Sequence, residues 1–342
     1  MQQLTRTEPA ILTPSRSNQA NLFEWDVTEQ DGRRASVVAC IDRSGMDLRI
    51  VAHAQAVARR LQANLLLAQV LEPGVHEGPQ DPVSWGIRRH NCRERFDWIS
   101  RQYSLGDPER VLLEGRAADE LAAWLASKDA SFLAFATHGE DRTVGGGLGS
   151  TAQRLVEIAP ASLLLVPPTA SDAPDYKRIL VPLDGSCRAE SVLPTVVSLA
   201  KTESAEVLVV HVVPQPQFTQ FGPLEPEAVG LRDKIVQRNE RVARAYLERV
   251  SNYLRSCGVN ARALILQGDA REQLPHTVFE EDTDLIVLAA HGHSGRADMP
   301  CGSVASYLAG HSNVPLLILR NEENGSGRAT SPHQEYCSVQ FR

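Results

Sequence analysis

The stretch that decides the fold is FLAFATHGEDRTVGGGLGS, residues 132–150, which returns in altered form as LIVLAAHGHSGRADMPCGS at residues 285–303. Each version is an apolar run followed by Ala-x-x-Gly, nine further residues and then Gly-Ser. The two copies lie 153 residues apart. A repeat that keeps its internal spacing in this way indicates that one structural unit has been duplicated within the chain.

The same order of elements surrounds both copies, because short apolar runs alternate with amphipathic segments. Such alternation predicts a parallel sheet with right-handed crossovers and helices on both faces. We therefore predict an α/β protein with two tandem doubly wound parallel sheets, each of five strands in the order 3-2-1-4-5. The predicted strands are 35–41, 65–70, 111–113, 132–136 and 163–166, then 179–183, 207–213, 263–266, 285–289 and 316–319.

Segments rich in proline and small polar residues delimit the two units. The predicted organisation is a mobile N-terminal tail at 1–33, a first domain at 34–167, a linker at 168–175, a second domain at 176–320 and a mobile C-terminal tail at 321–342. The second domain carries 11 extra residues, which we place around a long charged helix at about 231–255.

Composition restricts the classes of function. The chain of 342 residues is 42% hydrophobic and carries a net charge of -7, which argues against a general affinity for nucleic acid or acidic membranes. It has no apolar run of the roughly 18 residues that a membrane span needs. Its six cysteines form no Cys-x-x-Cys pair, which predicts reduced thiols in a cytoplasmic protein.

The repeated loop has the chemistry of a phosphate site. Its glycines permit close backbone approach, and Ser150 and Ser303 are predicted to cap helices whose first amides face outward. A helix N-terminus of this kind attracts anions. The alternative is a plain strand-to-helix connection that uses glycine and serine for local geometry only.

An aspartate ends the first strand of each unit, Asp42 in one and Asp184 in the other. With strand order 3-2-1-4-5, these strands and those that lead into the loops flank the crevice where the strand order reverses. A carboxylate there accepts hydrogen bonds from a sugar hydroxyl or a base amino group. The alternative role is a helix cap, which the run Asp184-Gly185-Ser186 resembles.

Together these landmarks resemble the universal stress proteins, in the form that carries two such domains in one chain. ATP-binding members of that family have Gly-x-x-Gly, nine residues, then Gly-Ser or Gly-Thr, with the same first-strand aspartate. The resemblance covers residues 34–167 and 176–320. It departs at the first motif glycine, which is Ala136 or Ala289 here, and alanine is tolerated there if the backbone φ is negative.

The resemblance implies two adenine nucleotide sites that take ATP, with any Mg²⁺ arriving on the nucleotide. In each of the two sets given next, the adenosine end is implied to contact the first three residues. The phosphates are implied to contact the loop glycines and the start of the helix that follows the loop. The implied residues are Ile41, Asp42, Val70, Ala136, His138, Gly139, Gly149, Ser150 and Thr151 in the first site, and Leu183, Asp184, Val212, Ala289, His291, Gly292, Gly302, Ser303 and Val304 in the second.

The two loops differ in charge. Glu140 and Asp141 repel phosphate in the first loop, whereas His293, Ser294 and Arg296 favour it in the second. We therefore expect the second site to bind ATP at least as well as the first. His291 and His293 alone do not make a metal site. Cys301 is either a redox-sensitive thiol at a helix start or, more simply, a packed small residue.

The leading interpretation is a cytoplasmic stress-response protein that binds ATP and has no catalytic residues of its own. The alternatives are a slow ATPase using His138 or His291, and an interaction module that binds no nucleotide. The final strands at 163–166 and 316–319 would each leave an open sheet edge. We expect them to pair within the chain as a built-in dimer, and the sequence leaves open a homodimer of whole chains.

Overall fold

The computed structural model describes residues 35–42, 45–73, 81–128, 130–139, 147–216, 226–293 and 300–320. The two segments predicted as tails, 1–33 and 321–342, lie outside these residues.

In the described residues, the first half contains five strands and four helices in the predicted alternation. Its apolar runs form strands, and its longest helix begins at the cap residue Asp81, which accepts hydrogen bonds from two first-turn amides. The elements are β1 (Ser36–Ile41), α1 (Asp47–Arg60), β2 (Asn64–Leu71), α2 (Pro82–Gln102), β3 (Glu109–Glu114), α3 (Ala117–Lys128), β4 (Phe132–Ala136), α4 (Ser150–Ile158) and β5 (Ser162–Val166).

The second half repeats this order with one extra helix. The helix expected after its first strand is divided into α5 and α6, because Pro194 in the first turn of α6 has no amide hydrogen to continue the preceding turn. The elements are β6 (Arg178–Pro182), α5 (Cys187–Glu190), α6 (Leu193–Lys201), β7 (Glu206–Val213), α7 (Pro226–Ser256), β8 (Asn260–Gln267), α8 (Ala270–Glu280), β9 (Leu285–Ala289), α9 (Ser303–His311) and β10 (Leu316–Leu319).

The long helix of the second half accounts for most of its extra length. Helix α7 has 31 residues, whereas its counterpart α2 has 21. The side chain of Gln267, at the end of β8, donates to the carboxylate of Glu240 in α7. The residues of α7 before Glu240 therefore extend beyond the carboxyl edge of the sheet.

The predicted strand order is confirmed in both halves. The ten strands run β3-β2-β1-β4-β5-β10-β9-β6-β7-β8, which is the order 3-2-1-4-5 followed by its mirror sequence. Neighbouring strands are parallel except at the centre, where β5 pairs antiparallel with β10 and Leu164 lies opposite Leu317. The two predicted sheets are therefore continuous as one ten-stranded sheet.

Both faces of this sheet are buried, as the near-continuous apolar strands require. Helices α1, α2, α6 and α7 pack on one face, and helices α3, α4, α8 and α9 pack on the other. Each apolar layer draws residues from both halves, so the core runs without interruption across the central pair of strands. This leaves the carboxyl ends of the parallel strands as the place for polar chemistry.

The segment between the halves is bound tightly to α1. The guanidinium of Arg49 forms an ion pair with Asp172 at 2.6 Å. His53 is buried, with Nε2 2.9 Å from the carbonyl of Ser171 and Nδ1 2.6 Å from the hydroxyl of Tyr176. Because a carbonyl oxygen only accepts, Nε2 carries the proton and Nδ1 accepts from Tyr176. Burial lowers the pKa of His53 to about 4, which keeps this ring neutral.

Among the cysteines of the described residues, Cys40, Cys92, Cys257 and Cys301 are free thiols. Cys187, the first residue of α5, is disulfide-bonded. The expectation that every cysteine is reduced is therefore wrong for this position. Spacing along the sequence cannot reveal a pairing that the fold brings about.

Candidate functional site

The predicted site residues meet at the carboxyl edge of the sheet, once in each half. Strands β1 and β4 are parallel neighbours, and so are β6 and β9. Asp42 directly follows β1 and Asp184 lies two residues beyond β6, while each repeated loop leaves the neighbouring strand. Val70 and Val212 lie near the ends of the next strands outward, β2 and β7.

The last glycine of the repeated motif, Gly149 in one half and Gly302 in the other, folds back onto the end of the preceding strand in the same way. The amide of Gly149 donates to the carbonyl of Thr137 at 2.9 Å, and that of Gly302 donates to Ala290 at 2.7 Å. A Cβ at either glycine would lie 3.4 Å from that carbonyl oxygen, tighter than most real contacts. Glycine at these two positions therefore serves close packing of backbone on backbone.

The predicted helix caps are wrong by one residue. Gly149 and Gly302 occupy the N-cap positions, with φ of -62° and -67°, and no side chain of a described residue caps either helix. Ser150 and Ser303 are instead the first helical residues and are exposed. The first-turn amides, which include those of Thr151 in α4 and Val304 in α9, therefore have no side-chain cap.

The alanines at the first motif position are accommodated. Ala136 ends β4 opposite Val166 of β5, and Ala289 ends β9 opposite Leu319 of β10. Neither residue has a positive φ. The condition set from the sequence is met, because an extended strand residue accepts a methyl group without backbone strain.

In the second half, the aspartate and the loop are in direct contact. Asp184 Oδ1 accepts from the amide and the hydroxyl of Ser186, at 2.9 and 2.6 Å, and Oδ2 accepts from the amide of His293. A Cβ at Gly292 would lie 2.1 Å from Asp184 Oδ2, so only glycine leaves room for the carboxylate. A carboxylate has about four acceptor positions, which leaves one for a further donor.

The helix cap that follows is not Asp184. Ser186 is the N-cap of α5 and accepts from the amide of Ala189 at 3.1 Å. Asp184 shapes the turn before that cap through its two bonds to Ser186. The same carboxylate therefore orders the turn and reaches the loop.

The first half is built differently at the corresponding place. The amide of Asp42 donates to Asp47 Oδ1 at 3.0 Å, and Arg95 of α2 pairs with the other oxygen of Asp47. Burial raises the pKa of Asp47 to about 6, although the Arg95 guanidinium acts in the opposite direction. Among the residues that the structure describes, a Cβ at Gly139 would meet no atom within 4 Å, unlike one at its counterpart Gly292.

The remaining site residues line the strand ends. Ile41 and Leu183 are buried, and the carbonyl of Leu183 lies 2.7 Å from Nδ1 of His211. His138 lies beside the strand end with Nδ1 2.9 Å from the Thr137 hydroxyl oxygen. His291, its counterpart, is half-buried.

The middle of each loop lies outside the described residues, at 140–146 and 294–299. The charges on which the ranking of the two sites rests, including Glu140, Asp141 and Arg296, fall there. Cys301, which follows the second gap, is buried, and burial raises the pKa of its thiol. This favours a packed small residue over a reactive one.

Neither a metal site nor a membrane-spanning helix is found within the described ranges. No group of three His, Cys, Asp or Glu side chains in these ranges has the arrangement of a metal site. No helix in the same ranges is long and apolar enough to cross a membrane.

Comparison with known proteins identifies the repeated unit. The model of the universal stress protein family matches the chain twice, at residues 34–167 and 175–320. The chain belongs to the universal stress protein family. It is a tandem member, with one copy of the family's unit in each half.

Curated relatives align with a single unit of this tandem protein. Universal stress protein MJ0577 of Methanocaldococcus jannaschii is 22% identical over 158 residues, which are 44% of this chain and 98% of that protein. Universal stress protein Sll1388 of Synechocystis is 28% identical over 152 residues, 43% of this chain and 99% of the relative.

Solved structures of similar length share the tandem fold. A universal stress protein from Archaeoglobus fulgidus covers 84% of this chain and 96% of its own, with a TM-score of 0.59 and 13% identity. A putative universal stress protein from Pseudomonas aeruginosa covers 84% and 93%, with a TM-score of 0.54 and 14% identity. At these identities the likeness concerns the fold alone.

Sequence reasoning missed the ion pair of Asp47 and Arg95 behind the first site of this universal stress protein. The available signal was a charged residue, Asp47, at the start of an otherwise apolar helix face that includes Ile50 and Val51. A carboxylate in such a position needs a partner when it is buried. The partner lies 48 residues away, on α2, which no local pattern indicates.

Proposed function

We propose that this tandem universal stress protein binds adenine nucleotide, ATP in particular, at the carboxyl edge of its sheet, with a site in each half. Its role is regulatory, in the stress response of the cytoplasm, and does not depend on catalysis. The observation that carries the proposal is the contact of Asp184 with Gly292 and His293. An acid that recognises a nucleoside and a loop that recognises phosphate are adjacent there.

The phosphate end is supported by the helix starts. Amides at the beginning of α4 and α9 have no side-chain cap, and each helix adds the partial positive charge of its N-terminus. Phosphate oxygens accept hydrogen bonds from such amides and carry the negative charge that the helix N-terminus attracts. The exposed hydroxyls of Ser150 and Ser303 are available to the same phosphates or to a Mg²⁺ ion that they carry.

The nucleoside end is supported by the shape of the strand ends. Val70 and Val212 are only half-buried, so each presents apolar surface for a base beside the aspartate of its half. Asp184 keeps one free acceptor position for a ribose hydroxyl after its three observed bonds. By the family resemblance, Asp42 serves the first site in the same way.

A regulatory role is favoured over an enzymatic one by the surroundings of the histidines. His138 lies against the hydroxyl of Thr137, and no described carboxylate is bonded to it as an orienting partner. A slow ATPase remains the alternative from a different class. Turnover of ATP above the background of a Gly149→Val, Gly302→Val double variant would favour it.

We also propose that the antiparallel pairing of β5 with β10 makes the chain a dimer of its own two halves. Leu163–Leu165 pair with Leu316–Ile318 across that junction, so each half covers the edge strand of the other. The two nucleotide sites would then be held in fixed register by one sheet.

Calorimetric titration of the intact chain with MgATP tests the proposal. Gly149→Val and Gly302→Val are matched variants, because each places a side chain against a carbonyl oxygen that is already 3.4 Å from a Cβ position. We expect each to remove binding at its own site, with at least as large a loss from Gly302→Val. An intact chain that binds no MgATP, and copurifies with no nucleotide by mass spectrometry, would contradict the proposal and favour an interaction module. Loss from Gly149→Val alone would refute the ranking of the sites.

A further inference from the structure

The exit of the first loop is held by the other half of the chain. The amide of Gly147, two residues before the N-cap of α4, donates to the carbonyl of Gly310 near the end of α9 at 3.2 Å. The backbones approach so closely that a Cβ at Gly310 would lie 3.3 Å from the Cα of Gly147. Gly147 has a φ of +134°, a conformation that favours glycine.

This contact joins two groups that each need a partner. The carbonyl of Gly310 is among the last four of α9, and these carbonyls accept no hydrogen bond from an amide of their own helix. Gly147 leads directly into the turn that Gly149 closes against Thr137. The end of the first loop is therefore fixed twice, once by its own half and once by the other.

The second loop cannot form the corresponding backbone bond at residue 300. At the repeat distance of 153 residues, Gly147 corresponds to Pro300 and Gly310 corresponds to Glu157. Proline has no amide hydrogen to donate, so the reciprocal bond cannot form. The end of α4 is instead reached by a side chain, since the guanidinium of Arg320 donates to the carbonyl of Val156.

We propose that Gly310 is a positioning residue for the first nucleotide site, so that this site is completed by the second half while the second site does without such a backbone bond. The proposal rests on the proposed function for its nucleotide readout. Helix α9 begins at the second site and ends at the loop of the first. A change at its last turn therefore acts on the first site without touching the phosphate end of the second.

The variant Gly310→Ala tests this with little risk to the fold. Alanine favours a helix more than glycine does, so α9 is retained. The added methyl group meets the backbone of Gly147 and Leu148, at 3.3 Å from the Gly147 Cα, and backbone atoms cannot rotate out of the way. The matched control is Glu157→Ala, the corresponding position on α4.

The first measurement is amide hydrogen exchange of the nucleotide-free chain in a peptide containing Gly147. We expect exchange about tenfold faster in Gly310→Ala, because the hydrogen bond of this amide is lost. We expect no change in Glu157→Ala. Unchanged exchange in Gly310→Ala, or an equal effect of the control, would overturn the proposal.

The second measurement is MgATP affinity with one site disabled at a time. In an Asp184→Ala background, which leaves the first site, Gly310→Ala should weaken binding about tenfold. In an Asp42→Ala background, which leaves the second site, the change should stay below about twofold. Equal weakening of both sites would overturn the proposal. If the unaltered chain binds no nucleotide, the proposed function fails, and the exchange measurement then decides only whether Gly310 holds the exit of the first loop in place.

Discussion

Replacement of Gly292 by alanine should damage the second site and destabilise the chain, whereas the same change at Gly139 should leave the folding stability unchanged. The added Cβ at 292 would lie 2.1 Å from Asp184 Oδ2, but at 139 it meets no atom of the described residues within 4 Å. Asp184 would have to rotate away. It would then lose the bond from the amide of His293 and disturb both bonds from Ser186.

The size of the effect follows from the bonds lost. A hydrogen bond to a charged group contributes about 1.5–3 kcal/mol, and exposure to water places this one at the low end, at about 1.5 kcal/mol. That amount corresponds to about a tenfold loss of MgATP affinity at the second site. Gly139→Ala should change the stability by no more than about 0.5 kcal/mol.

Urea denaturation reports the change in stability, and calorimetric titration in an Asp42→Ala background isolates the second site. Gly139→Ala is the control for stability. If both glycine variants destabilise the chain equally, or if Gly292→Ala weakens neither the stability nor MgATP binding, the contact between Asp184 and Gly292 does not shape the site. The reasoning from close approach would then be refuted.

Two further predictions concern the contacts between α1 and the segment that joins the two halves. Tyr176→Phe should destabilise the chain by about 1–3 kcal/mol in urea denaturation, because it leaves the buried Nδ1 of His53 without a donor. The control Tyr103→Phe removes a hydroxyl that bonds the carbonyl of Leu48 at the surface and should cost less, so an equal loss would count against the buried network. The second prediction is a pH dependence that arises from His53, whose pKa burial lowers from 6.5 to about 4. Because the unfolded chain binds this proton more readily, the contribution of the neutral ring is fully present above pH 6.5 and is lost as the pH falls toward 4, by up to about 3 kcal/mol. Burial raises the pKa of Asp47 and acts in the opposite direction, so the measurement is the difference in stability between the parent and His53→Gln from pH 4 to 7.5. A difference that does not vary with pH would exclude the assignment.

Local pattern was sufficient for the strands and their order. Short apolar runs bounded by turn residues have few alternatives in a chain that also repeats itself, so β4 and β9 were placed with the bounds that the structure has, Phe132–Ala136 and Leu285–Ala289. The landmarks Asp42 and Asp184 were placed at the correct edge for the same reason. The strand order decides which strand ends are neighbours, and the duplicated sequence indicated the same order in both halves.

Features that depend on distant contacts were not predictable in this way. The Ser150 cap was displaced by one residue because Gly149 is drawn onto the carbonyl of Thr137, a contact made only when the loop closes. Composition predicted a linker at 168–175, yet it says nothing of the ion pair of Arg49 with Asp172 that holds this segment against α1. In each case the missing information was a partner elsewhere in the fold.

The pairing of β5 with β10 also determines how the two halves respond to dilution. Separate subunits joined through such an edge come apart when their concentration falls below the dissociation constant. Here the linker keeps the two edges together at a high effective concentration, which does not change with the amount of protein. The two proposed sites would consequently be present in a one-to-one ratio in every molecule, whether the cell makes few copies or many.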